Sequence, residues 1–109
     1  MGFITFIKGL FTLSSEQLEA VEERRKNLIL RIMANYHRGD DFGSMSFRKI
    51  YLEFNRHEAL KSEDFLRLLQ EVITAGFVQR LDGGNKELSP RQVTYVISSN
   101  GLNHIGLPG

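Results

Sequence analysis

The sequence predicts an α+β fold, a three-helix core followed by a β-hairpin, with an N-terminal amphipathic helical arm in front. Three observations predict it. Apolar side chains recur three and four positions apart in three successive blocks before Gly76, the period of helices that each bury one face. After Gly76 the period becomes two, with Val93, Tyr95 and Ile97 alternating against other neighbours, as in a half-buried strand. Asp82-Gly83-Gly84-Asn85 lies between the two apolar runs of that last block and supplies the residues that tolerate positive φ in a turn.

The 109 residues fit one domain, read as an arm over 1–13 and a folded domain over 14–109. Lys plus Arg number 14 and Asp plus Glu 13, a formal charge of +1, which excludes a strongly basic coat or an acidic tail but leaves room for a local basic patch. There are no cysteines, so a disulfide scaffold, a thiolate zinc site and thiol catalysis are excluded.

In the arm, Phe3, Phe6, Ile7, Leu10 and Phe11 fall on one helical face. The run is too short to span a bilayer, and it has neither the basic start nor the cleavage pattern of a signal peptide. Phe6 stands where a myristoylation signal wants Ser or Thr. A single lysine, Lys8, attracts anionic lipid weakly, so the arm is expected to pack on its own domain, a second subunit or a protein partner, with a membrane-surface anchor or a frayed terminus as the alternatives. The expected location is cytoplasmic.

Ser14 and Gln17 form a capping box, with Leu13 and Leu18 as a hydrophobic staple. They open a helix from about Ser15 to Arg38, closed by Gly39. Leu18, Val21, Arg25, Leu28 and Ile32 step along it roughly as a heptad, a pattern suited to helix-to-helix contact in a homodimer. Arg25 is the odd cation on that stripe, which suggests that this end leaves the core or meets a partner. Arg24, Asn27, Arg31, Asn35 and Arg38 lie within about 80° of one another on another face, which serves either as a solvated surface or as a seat for phosphates or an acidic partner.

Ser46 is the expected N-cap of a second helix, whose stripe is Phe47, Ile50, Tyr51 and Phe54. Arg56 to Lys61 connects it to a third, capped by Ser62, with Glu63 and Asp64 in the first turn where the helix dipole favours anions. Phe65, Leu68, Leu69, Val72 and Ile73 form its buried face, and Gly76 ends it. Phe77 to Leu81 and the alternating run around Tyr95 are the hairpin strands, joined by a loop from about Asp82 to Pro90.

Two patterns carry a family resemblance. Leu69-x-x-Val72-x-x-x-Gly76-Phe77-Val78-x-Arg80 resembles the exit from the third helix into the first wing strand of winged helix-turn-helix domains. Tyr95-x-Ile97-Ser98-x-x-Gly101-x-x-x-Ile105 is similar to the stretch that closes many of them, with Ser98 where threonine is often found. The resemblance covers about Ser15 to Ile105. It implies a winged helix, a three-helix core with a β-hairpin wing, that binds double-stranded DNA as a dimer, as in small MarR- and PadR-like regulators of transcription.

The same resemblance places the third helix in the major groove, with Arg67, Gln70, Glu71 and Thr74 on its exposed stripe and Lys61 just before it. Arg67 suits guanine and Gln70 adenine. Lys86 falls in the wing, with Arg80 and Arg91 flanking it toward phosphates, and Arg48 and Lys49 open the helix that crosses the backbone. From Lys61 to Thr74, however, two basic residues (Lys61, Arg67) meet three acidic ones (Glu63, Asp64, Glu71), a local charge of −1. That departure supports an alternative, a winged-helix module that docks on protein through its arm or its acidic third helix.

No enzyme is expected. His37, His57 and His104 have no paired ligand spacing, so no metal or other cofactor is expected either. Nucleophile-elbow, HExxH and phosphate-loop patterns are absent.

Overall fold

The computed structural model describes residues 15–37, 43–82 and 87–107. The arm with Phe3, Phe6, Ile7, Leu10 and Phe11, the Ser14 cap, the Arg38-Gly39 helix end and Lys86 with its glycine turn lie outside the described residues. The fold is α+β: four helices and a small three-stranded antiparallel sheet among those residues.

Helix α1 (Ser15–His37) leads, followed by a two-residue strand β1 (Met45–Ser46), helix α2 (Phe47–Asn55) and helix α3 (Ser62–Thr74). Strands β2 (Val78–Leu81) and β3 (Thr94–Ile97) make the hairpin, and a short helix α4 (Ser99–His104) closes the described chain. The hairpin register pairs Val78 with Ile97 and Leu81 with Thr94. Strand β1 joins the free edge of β3, pairing Met45 with Tyr95, so the sheet order is β1-β3-β2. Nothing in the sequence predicts β1, because two residues are too few to show a period.

Each helix end has a local cause. Ser46 caps α2 as expected, its hydroxyl accepting from the Lys49 N–H at 3.1 Å. Ser62 does not cap α3. Lys61 holds the cap position and brings no acceptor, while Ser62 is already the first helical residue. The Ser62 hydroxyl donates instead to the Glu63 carboxylate at 3.1 Å. Gly76 ends α3 at φ +84°, a left-handed conformation that costs glycine little. Its carbonyl accepts from the Ser98 hydroxyl at 2.6 Å, and Ser98 also caps α4 by accepting from the Gly101 N–H.

The core lies where α1, α2, α3 and the sheet meet. Ile29, Leu30 and Met33 of α1 pack with Ile50 and Phe54 of α2, Phe65, Leu68, Leu69 and Val72 of α3, and Tyr95 of β3. All are essentially excluded from water, each aliphatic or phenyl side chain contributing about 1.5–3 kcal/mol. Among the described residues, no charged or polar one is buried. Phe65 is the hub between α2 and α3, with ring centroids 5.5 Å from Phe47, 5.2 Å from Tyr51 and 5.3 Å from Phe54. The Tyr95 hydroxyl reaches the Pro90 carbonyl at 2.5 Å, which fastens the base of the β2–β3 loop to the core.

Helix α4 packs closely enough to need a glycine. A Cβ on Gly101 would sit 2.2 Å from the Phe77 carbonyl oxygen, a backbone atom that cannot turn aside. Gly101→Ala is therefore expected to cost about 1–3 kcal/mol in equilibrium urea unfolding. An unchanged midpoint would contradict this close approach.

Candidate nucleic-acid interface

Three basic positions gather where α2 and α3 begin. Phe47 is the first residue of α2 and Ser62 the first of α3, and Arg91, from the segment entering β3, touches both. Its guanidinium lies 4.9 Å from the Phe47 ring centroid and donates to the Ser62 hydroxyl at 3.2 Å. Two chain-local features pin that segment: the Ser89 hydroxyl accepts from the Arg91 N–H, and the Gln92 side chain accepts from the Ser89 N–H. Arg48, next to Phe47, and Lys61, next to Ser62, are exposed on the same two helix starts. Lys49 leans toward the end of α1, its ammonium 4.1 Å from the Tyr36 ring centroid. The partly unsatisfied N–H groups of two helix starts add positive character there.

The acidic pair beside them, Glu63 and Asp64, is exposed. Glu63 serves its own helix: its backbone N–H and then the Ser62 hydroxyl hold its carboxyl below the usual range, with Arg91 and Lys61 adding charge attraction. It is thus an ionised group satisfied at a helix start.

The other predicted residues are distributed differently. Gln70 and Thr74 are exposed on α3 and line a groove of about 360 Å³ with Ile73, Arg80, Pro90 and Tyr95. Arg67 is half exposed but engaged: one guanidinium nitrogen donates to Glu71 one turn on at 2.8 Å, the other to Glu22 of α1 at 2.9 Å. The Glu22 carboxylate, ahead of Glu71, raises the Arg67 pKa further, so this side chain clamps α1 to α3. Reading a base with it means giving up both pairs. Arg80 turns into its own hairpin, donating to the Leu88 carbonyl, with its Nε 3.3 Å from an Asp82 oxygen.

Arg25 makes its pairing inside the chain. Its Nε donates to Glu58 at 2.5 Å, and Arg24 donates to the other oxygen of the same carboxylate at 2.7 Å. Glu58, in the α2–α3 connection, is the residue that the sequence did not single out, and it explains the cation on the apolar stripe. Leu18 remains half exposed and Val21 partly buried on that stripe.

The Arg24 hydrogen bond, then Arg25, hold the Glu58 carboxyl below its ordinary 4.5 against the opposing effect of burial. A carboxyl with a lowered folded pKa contributes stability above its unfolded value and loses it as pH falls through the folded one. The melting temperature should therefore fall as pH drops below about 4.5, and Glu58→Gln should flatten part of that fall. Identical acid profiles for the two proteins would remove Glu58 from the account.

No family model, no curated protein and no solved structure matches this chain. No helix among the described residues is long and apolar enough to cross a membrane.

Proposed function

We propose that the chain is a winged helix-turn-helix protein that binds double-stranded DNA, gripping phosphates with the basic end where α2 and α3 start. The observation that carries this reading is Arg91 seated on Phe47 and Ser62 at once, with Arg48 and Lys61 exposed beside those two residues. Phosphate contacts position a protein on duplex DNA without reading sequence, and clustered Arg and Lys are the side chains that make them. The element order helix, strand, helix, helix, strand, strand, with β1 beside β3, also suits the winged-helix arrangement. Gln70 and Thr74 then replace Arg67 as the residues offered to base edges, because both are exposed while Arg67 is held by Glu22 and Glu71.

Regulation of transcription or replication is the role such binding would serve. A second reading rests on the acidic start of α3. Glu63 and Asp64 are exposed while the arginine one turn away is taken by Glu22 and Glu71, a surface suited to a basic protein partner. Fluorescence-anisotropy titration of a random-sequence duplex distinguishes them. Saturable binding at low salt is the expected result; no binding there transfers the function to protein docking.

A further inference from the structure

The charges of α1 are segregated along its length. Glu16, Glu19, Glu22 and Glu23 fill its first half with no cation among them, and Arg24, Arg25, Lys26 and Arg31 follow with no carboxylate. The middle of this set is used within the chain. Glu22 pairs with Arg67, Glu23 with His104 and Lys26, Arg24 and Arg25 with Glu58, and Lys26 also with Glu71. What remains are two carboxylates at one end, Glu16 and Glu19, and one guanidinium a little over four turns on, Arg31, all exposed and without an ion pair among the described residues.

Between those ends the helix presents a groove of about 630 Å³, formed by Ala20, Arg24, Asn27, Leu28 and Arg31 with His57 opposite. Ala20, Arg24, Asn27 and Arg31 recur at four, three and four positions, the spacing of a helix seam that receives another helix.

We propose that this face of α1 binds the same face of a second copy, antiparallel, about a two-fold axis between Glu23 and Arg24. In that register residues whose numbers sum to 47 face each other. Arg31 meets the partner's Glu16, with the partner's Glu19 one turn away, and the symmetry repeats the contact at the far end. Ala20 meets the partner's Asn27, and the small side chain lets the two helices approach closely. The seam runs from residue 16 to 31, about 24 Å of helix. It is a different face of α1 from the Leu18-Val21-Arg25 stripe expected from the sequence.

An isologous contact of this kind repeats every interaction twice, so charge swapping tests it without DNA and independently of the DNA-binding reading. Sedimentation velocity over a micromolar concentration range should give the wild-type protein a limiting mass of twice 12.5 kDa. Arg31→Glu and, separately, Glu16→Arg should each weaken self-association about tenfold or more by placing like charges together. The double variant E16R/R31E should restore it, since the opposite charges then face each other again. Both positions are exposed, and circular dichroism confirms that each variant is folded. A wild-type protein that stays monomeric overturns the proposal. So does an Arg31→Glu variant that dimerises normally, or a double variant no better than the singles.

Discussion

Phe65→Ala is expected to lower the unfolding free energy by about 3–5 kcal/mol, the largest effect of any single substitution proposed for this chain. The ring is fully buried and touches three aromatic rings of α2, so truncation removes its transfer energy and leaves a cavity that stiff neighbours cannot fill. Domains of this size keep only about 5–15 kcal/mol of net stability, so the variant stands close to unfolding. The loss reaches function through geometry, because the packing of Phe47 on Phe65 brings together the helix starts that carry Arg48 and Lys61. Urea denaturation of Phe65→Ala beside Phe65→Leu measures it. A loss below about 1 kcal/mol for the alanine variant would contradict the role of this ring as the hub between α2 and α3.

The double variant R48A/K61A is expected to weaken binding to any duplex on the order of tenfold at low salt, with sequence preference unchanged. Each side chain is exposed, so removing it costs the fold little. For every phosphate the variant no longer grips, the dependence of log K on log salt should also become shallower by about 0.9. Anisotropy titrations of specific and random duplexes measure both quantities. Weaker binding on one sequence alone would assign these two residues to base readout.

Local signals are the ones legible in the sequence. Ser46 is readable as a cap because the hydroxyl and the N–H it accepts from lie three residues apart. Gly76 is readable because only one residue type enters its conformation freely. The aromatic stripe of α2 and the buried face of α3 follow from period alone. Nothing local marks β1, whose two residues gain meaning only from their pairing with β3, about fifty positions on. Ser62 has the chemistry of a cap, but both it and the residue before it can start a helix, and the backbone places Lys61 at the cap.

The candidate site divides in the same way. Arg48, Lys49 and Lys61 can be placed near helix starts by position. The seat of Arg91 cannot, since Ser62 lies 29 residues from it in sequence. Helical period puts Arg67 on an exposed face, and Glu71 one turn on is a visible partner. Glu22, 45 residues away, is not, and it changes Arg67 from a free base reader into a clamp. Arg25 teaches the same lesson: a cation on an apolar stripe signals a partner, and the partner is Glu58 of the same chain.

The salt dependence of random-duplex binding by the intact protein tests the central claim most directly. Contacts from Arg48, Lys49, Lys61 and Arg91 predict micromolar binding and a slope of about −3 to −4 for log K against log salt. No binding at low salt, or a slope near zero, would contradict a phosphate-gripping surface at the start of α2 and α3.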